Sequence, residues 1–136
     1  DGGDGAADRD EAAGSGTVLV VDDEEYVRLL AKTILEKRGY DVLTAENGKE
    51  GVDLFAARGD DIRVVLLDLT MPVMNGREAF AEMRRIRPDA RIIISSGYSE
   101  QDAIRHFGSE APSSFIQKPY QPQLLAARVS DAIHVR

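Results

Sequence analysis

The sequence contains no cysteine, no long apolar run and no cluster of basic residues. Without cysteine the chain can form no disulfide, no catalytic thiolate and no zinc site with sulfur ligands. The absence of cysteine does not indicate whether the protein works in a reducing or an oxidising compartment. Its apolar runs fall far short of the roughly 20 residues of a membrane-spanning helix, and the acidic N-terminal stretch does not resemble a signal peptide. We therefore expect no direct membrane contact and, by default, a cytoplasmic location, with any membrane tether supplied by upstream sequence.

The chain carries a formal net charge of −7, and its acidic residues are spread along the 136 positions. Proteins that bind nucleic acid neutralise phosphates with clustered lysine and arginine, and the sequence has no such cluster and no recognisable helix-turn-helix. We therefore expect no nucleic-acid binding. An acidic balance instead favours protein partners or cations as ligands.

The length predicts one domain with a tail at its N-terminus. Residues 1–16 hold no large apolar side chain, so this stretch buries nothing that would offset the entropy lost on ordering. We interpret residues 1–16 as a flexible linker or terminal tail and residues 17–136 as the folded domain. The start at Asp1 rather than Met suggests that the chain was excised from a longer protein.

Short apolar strands alternate with amphipathic helices through the folded domain. The predicted strands are residues 17–21, 41–45, 62–67, 91–94 and 114–117, and apolar residues at helical spacing follow each of them. Such alternation predicts βαβ units with right-handed crossovers and therefore a parallel sheet. The expected fold class is α/β, a doubly wound five-stranded parallel sheet with helices on both faces, flavodoxin-like, with strand order 2-1-3-4-5.

The same spacing predicts how the helices begin and which side chains they bury. Asn75 and Glu78 have the spacing of a capping box at the start of the third helix. Ala56, Ile86 and Ile104 are predicted to face the core near the ends of the second, third and fourth helices. The apolar face of the fourth helix is short, which predicts a weakly anchored element.

Polar residues follow four of the five predicted strands: Asp22 and Asp23 the first, Asp68 the third, Ser95 the fourth and Lys118 the fifth. Any one of them could simply cap a helix or satisfy a turn. Parallel strands, however, bring their carboxyl ends to one edge, so these groups are expected to meet. Three close carboxylates take up a proton or bind a cation, and an all-oxygen acidic site suits Mg²⁺. The lysine and the serine suit phosphoryl oxygens, which leaves Asp68 as a nucleophile that forms an acyl phosphate.

Four segments, VLVVDDE, LLDLTMPVMNG, RIIISSGYS and FIQKPY, resemble in order and spacing the motifs of receiver domains from bacterial two-component response regulators. The resemblance covers residues 17 to about 133. It implies that Asp68 accepts a phosphoryl group from a phosphohistidine of a histidine kinase or histidine phosphotransfer protein. It also implies that Asp23, Asp68 and the backbone carbonyl of Thr70 bind Mg²⁺ and that Asp22 acts through water.

By the same resemblance, Ser95 and Lys118 hold the phosphate oxygens, and the Lys118–Pro119 peptide bond is cis. Phe115 matches the switch aromatic of the family. Ser95 would move to the phosphate, the Phe115 ring would turn into the space left, and the surface of the fourth helix, fifth strand and fifth helix would change. Because the fourth helix is weakly anchored, we also hypothesise that it is the element that shifts population on phosphorylation. The alternative is that Phe115 only packs in the core.

The motifs look most like those of receivers fused to the C-terminus of hybrid sensor histidine kinases, with a free-standing single-domain regulator as the alternative. We expect a monomer or weak dimer whose chemistry is limited to Mg²⁺-dependent self-phosphorylation and autodephosphorylation, so the domain is not expected to be an enzyme in itself.

Two other classes of protein fit the sequence less well. A haloacid-dehalogenase-like phosphatase needs a second acid two residues after its nucleophile, where Thr70 stands. An FMN carrier needs a Ser/Thr/Gly-rich loop after the first strand, where this chain has four acids.

Overall fold

Strands and helices alternate strictly along the residues that the computed structural model describes, which are 16–71, 73–105, 107 and 111–134. The strands are β1 (Thr17–Val21), β2 (Asp41–Ala45), β3 (Ile62–Asp68), β4 (Ile92–Ser96) and β5 (Ser114–Gln117). The helices are α1 (Glu25–Glu36), α2 (Gly48–Arg58), α3 (Gly76–Ile86), α4 (Glu100–Ile104) and α5 (Pro122–His134). The predicted alternation is confirmed. The predicted tail lies outside the described residues except for Gly16.

The five strands form one parallel sheet in the order β2-β1-β3-β4-β5. This is the strand order 2-1-3-4-5 predicted from the sequence. The chain moves from β1 outward to β2 and then returns across β1 to β3. In a doubly wound sheet this change of direction leaves a crevice at the carboxyl ends of the two strands on either side of it, here β1 and β3.

Helices cover both faces of the sheet and create two separate cores. Helices α1 and α5 pack on one face, and the buried residues there form the α1/α5 core. Helices α2, α3 and α4 cover the other face and form the α2/α3/α4 core. Because both faces are covered, the strands are apolar without alternation, and Val64, Val65, Leu66 and Leu67 are each at most 1% exposed.

Two strands end later than the sequence predicted. β3 runs on to Asp68 and β4 to Ser96, because strand pairing continues past the apolar run and places Asp68 opposite Ser95. The Leu69 N–H then donates to the Ser95 carbonyl at 2.9 Å. Asp68 and Ser95 are therefore held by the sheet itself rather than by the loops that follow it.

The helix predictions are confirmed at the starts and wrong at some of the ends. Asn75 and Glu78 form the predicted capping box at α3, with both reciprocal hydrogen bonds present. Ala56, Ile86 and Ile104 are exposed rather than buried. All three lie in the last turn of a helix, and periodicity does not tell how far along the helix its packing partner extends. Within the described ranges, no helix has the length and apolar character needed to cross a membrane.

Val73, between β3 and α3, has a left-handed backbone conformation with φ of 70°, and its side chain is 80% exposed. This region disfavours β-branched residues and tolerates asparagine. We expect Val73→Asn to raise the free energy of unfolding by about 0.5–1 kcal/mol, measured by urea denaturation. Val73→Thr keeps the β-branch and serves as the control, with little change expected. Equal stability of the Asn and Thr variants would contradict this interpretation.

Candidate functional site

Strand pleating brings the predicted polar residues to one side of the sheet edge. In β1, β3, β4 and β5, the last side chains in the α1/α5 core are Val20, Leu66, Ile93 and Ile116. Two residues after each of these comes one of the predicted site residues, in the order Asp22, Asp68, Ser95 and Lys118. Because side chains two apart on a strand share a face, all four lie on the same face at the carboxyl edge.

Lys118 joins the carboxylates of two neighbouring strands. Its Nζ lies 3.2 Å from Asp22 Oδ2 and 3.3 Å from Asp68 Oδ1, with Glu24 Oε1 farther away at 3.8 Å. The lysine side chain is 18% exposed, whereas those of Asp22 and Asp68 are nearly inaccessible. The Lys118–Pro119 peptide bond is cis, as the resemblance implied.

Asp22 has both carboxylate oxygens engaged within the protein. Oδ1 accepts a hydrogen bond from the Glu24 N–H at 2.9 Å, and Oδ2 accepts from Lys118. The Asp22 backbone carbonyl accepts from Arg28 Nη1 at 2.7 Å. Arg28, on α1, was not identified from the sequence, because a single arginine on an amphipathic helix gives no signal of such a contact.

Asp68 is 3% exposed, and its Oδ1 accepts from Lys118 and, at 3.5 Å, from the Thr70 N–H. Burial and then repulsion from Asp22 raise its pKa to about 7, while Lys118 opposes the shift. Burial alone would lower the pKa of Lys118, but Asp68 and Asp22 raise it above its ordinary value. The site therefore combines a cationic lysine with a carboxylate that is destabilised by its surroundings.

Three carboxylates are close enough to share a cation. One oxygen each from Asp22, Asp23 and Asp68 lie within 4.8 Å of one another. Asp23 is exposed, whereas the other two are buried, so the group opens to solvent on the Asp23 side. The donors are all oxygen and carry net negative charge even beside Lys118, which fits Mg²⁺. Thr70, the fourth predicted ligand, is exposed and lies two residues beyond Asp68.

Ser95 is fully buried beside this cluster and faces Asp68 across the β3–β4 pairing. Its Oγ accepts a 2.8 Å hydrogen bond from the Tyr120 hydroxyl. Sequence reasoning missed Tyr120, which lies two residues after Lys118 and beyond the end of β5 at Gln117. Strand alternation does not predict where a side chain three residues beyond a strand points, so the sequence offered no reliable signal for the contact.

Phe115 lies away from the carboxylates. It is half-buried and packs against the α2/α3/α4 core, on the opposite face of the sheet. Its ring contacts Phe107 edge to face at a centroid distance of 6.1 Å, and Phe107 contacts Phe80 of α3 at 5.0 Å. The predicted switch aromatic therefore begins a row of three aromatic rings.

The described fold and its carboxyl-edge cluster define a flavodoxin-like, doubly wound α/β domain with an aspartate-centred site. Residues 18–130 match the response regulator receiver domain family. The chain belongs to this family. The resemblance recognised from the motifs, the predicted fold class and the assignment to two-component signalling are thereby confirmed.

Three relatives illustrate the range of the family. The chain is 38% identical over 118 residues to the chemotaxis protein CheY of Thermotoga maritima, covering 86% of this chain and 93% of that protein. It is 34% identical over 123 residues to the sensor kinase CckA of Brucella abortus, covering 90% of this chain but only 13% of the kinase. The structure of the response regulator TrrA of Thermotoga maritima in complex with Mg²⁺ and BeF superposes with a TM-score of 0.76 at 33% identity, covering 87% and 99% of the two chains.

Gly76 lets α3 begin directly against the end of β3. A Cβ at this position would contact the Asp68 carbonyl and lie 2.6 Å from the Leu69 Cα, both backbone atoms that cannot turn aside. We expect Gly76→Ala to lower the free energy of unfolding by about 2–3 kcal/mol, measured by urea denaturation. Gly97→Ala is the matched control, because a Cβ there meets nothing within 4 Å. Similar losses in the two variants would contradict the steric argument.

The raised pKa of Asp68 has a consequence for stability. Its unfolded pKa is about 4, so between about pH 4 and 7 the folded chain binds more protons than the unfolded chain, and stability falls as pH rises. In the presence of EDTA, we expect Asp68→Asn to stabilise the protein by about 1–3 kcal/mol at pH 8 and by much less near pH 4. Urea denaturation at both pH values measures this difference.

The control is Asp53→Asn, which removes an exposed carboxylate paired with Lys49 and should change the free energy of unfolding by no more than about 0.5 kcal/mol. A less stable Asp68→Asn at pH 8 would refute the argument.

Proposed function

We propose that this domain is the phosphoacceptor of a two-component phosphorelay and that Asp68 takes the phosphoryl group from a phosphohistidine. The observation that carries the proposal is the ion-pair cluster in which Lys118 contacts both Asp22 and Asp68 at the carboxyl edge of the sheet. A buried carboxylate also needs a cationic partner for stability alone, but one lysine shared between two carboxylates at a sheet edge that opens to solvent on the Asp23 side suits the binding of an anion. The lysine would offset part of the repulsion between the Asp68 carboxylate and an incoming phosphoryl group.

The transfer is a substitution at phosphorus. An Asp68 carboxylate oxygen forms the new bond to phosphorus, the bond between phosphorus and the histidine nitrogen breaks, and its electron pair stays on the imidazole. Lys118 balances charge on the phosphoryl oxygens, and the Ser95 hydroxyl donates a hydrogen bond to one of them. The raised pKa of Asp68 fits this role. Its ionised form is poorly stabilised by the surroundings, so forming a bond to phosphorus lowers its free energy more than it would for a well-solvated carboxylate.

Mg²⁺ fits the three-carboxylate cluster, with Asp23, Asp68 and the backbone carbonyl of Thr70 as proposed ligands. When bound, it would neutralise negative charge on the carboxylates and the phosphoryl group. Asp22 would act indirectly, through water. The two hydrogen bonds that already occupy its carboxylate oxygens support an indirect role.

Phosphorylation would be read out through Phe115. Ser95 would move towards the phosphoryl group and the Phe115 ring would turn into the space left, altering the surface formed by α4, β5 and α5. The β4–β5 register supports this route, because Phe115 pairs with Ile94, the residue next to Ser95. Helix α4 is only five residues long and buries only Ala103, which suits an element that shifts between two positions.

The proposed partner is a histidine kinase or a histidine phosphotransfer protein in the cytoplasm, and the domain would act as a monomer or weak dimer without further enzymatic activity. A hybrid sensor histidine kinase is the proposed parent chain, supported by the match to the sensor kinase CckA. A free-standing regulator is the alternative, since the chain also spans 93% of a CheY protein.

The test is the intact mass of the chain after incubation with acetyl phosphate and Mg²⁺. We expect one added phosphoryl group on the wild type, none with EDTA and none on Asp68→Asn, because the nucleophile is lost. Asp53→Asn, which removes an exposed carboxylate on α2, should be phosphorylated like the wild type.

Two results would refute the proposed function. One is a phosphoryl group retained on Asp68→Asn, which would place the acceptor elsewhere. The other is a wild type that takes up no phosphoryl group and binds no beryllofluoride, the non-covalent mimic of the acyl phosphate.

A further inference from the structure

The hydroxyl of Ser95 is already engaged in the phosphate-free protein. Ser95 is 0% exposed, and its Oγ accepts the 2.8 Å hydrogen bond from Tyr120, itself only 7% exposed. Both residues are therefore buried, and the hydrogen bond between them lies away from bulk solvent. Breaking this hydrogen bond would leave a buried hydroxyl donor unpaired.

The Tyr120 hydroxyl lies within electrostatic range of the acidic cluster. Burial raises the pKa of Tyr120 strongly, its hydrogen bond with Ser95 lowers it in part, and Asp22 and Asp68 raise it further. The phenol therefore stays protonated and remains a donor. Lys118 and Tyr120 are two residues apart just beyond the end of β5, so the same short segment places the lysine at Asp68 and the phenol at Ser95.

We propose that Tyr120 is a restraint on the switch: its hydroxyl holds Ser95 in the resting position, and phosphorylation of Asp68 must break that hydrogen bond. This inference rests on the proposed function, in which Ser95 moves to the phosphoryl group. The Tyr120 hydroxyl then has no buried partner, so the activated state carries a penalty that the resting state does not. The restraint favours the resting state when no phosphoryl group is present.

The ring and the hydroxyl of Tyr120 have separable roles. The ring belongs to the α1/α5 core together with Leu125 and Ile116 and contributes to stability whatever the switch does. Phenylalanine keeps the ring and removes only the hydrogen bond. Tyr120→Phe therefore removes the restraint while preserving most of the packing.

The experiment measures beryllofluoride affinity in the presence of Mg²⁺ by NMR titration of the full chain. We expect Tyr120→Phe to bind roughly five- to tenfold more tightly than the wild type, the ratio that one net hydrogen bond gives. In a Ser95→Ala background the same substitution should change affinity less than about twofold, because the partner is already absent. Tyr40→Phe is the matched control, since Tyr40 lies in the same core but precedes β2 at the opposite edge of the sheet, and its affinity should equal that of the wild type.

Two outcomes of this experiment would overturn the proposed restraint. Unchanged or weaker binding by Tyr120→Phe would show that the hydroxyl does not oppose the switch. Equal tightening with and without the Ser95 hydroxyl would assign the effect to core packing. A wild type that neither binds beryllofluoride nor becomes phosphorylated would instead refute the proposed function, so the two failures are distinguishable.

A second measurement uses only the wild-type protein, so it can be made even if Tyr120→Phe does not fold. The buried Tyr120 hydroxyl proton should exchange slowly enough to give an NMR signal close to Ser95 in the resting wild type. We expect that signal to be lost or shifted when beryllofluoride binds, because Ser95 leaves its partner. A hydroxyl signal that stays in contact with Ser95 in the bound state would overturn the proposal.

Discussion

The contact of Lys118 with Asp22 and Asp68 is the interaction on which the site depends. Two carboxylates are buried on adjacent strands, and without a cation between them their repulsion and desolvation would favour a protonated or distorted site. Lys118 reaches them from the last strand, so the contact also joins the end of β5 to the centre of the sheet. In the proposed function, an incoming cation or phosphoryl group would meet a site that this lysine has already arranged.

The regular pleat of the parallel sheet explains why one polar residue at the end of each of four strands is enough to form the site. The side chains of four strands that close the α1/α5 core are followed, two positions later, by the polar groups of the site. Core packing and site geometry are thus set by the same register. The pairing of Asp68 with Ser95 fixes the Asp68 carboxylate and the Ser95 hydroxyl in one backbone ladder, which loops alone would position less rigidly.

The two faces of the sheet have different roles in the proposed switch. Ser95 and Tyr120 lie on the side of the α1/α5 core, whereas Phe115 and its aromatic neighbours lie on the other. The strands β4 and β5 connect the two sides, because neighbouring residues on a strand point to opposite faces. A movement of Ser95 towards the phosphoryl group can therefore reach α4 through strand backbone and the rings of Phe115 and Phe107.

The sequence by itself determined the fold class and the identity of the polar residues at the carboxyl edge, because apolar periodicity and strand ends are local properties. Periodicity cannot order strands, so the predicted order came from the arrangement usual for a doubly wound domain of this size, and the pairing in the structure confirmed it. The sequence did not determine where burial stops along a helix, as Ala56, Ile86 and Ile104 show, nor that pairing extends β3 through Asp68. Only the tertiary structure revealed the contacts of Arg28 and Tyr120. The Tyr120 contact joins residues 25 positions apart, and the Arg28 contact joins a helix to the end of the preceding strand. The geometry of both depends on packing between elements, which no local pattern records.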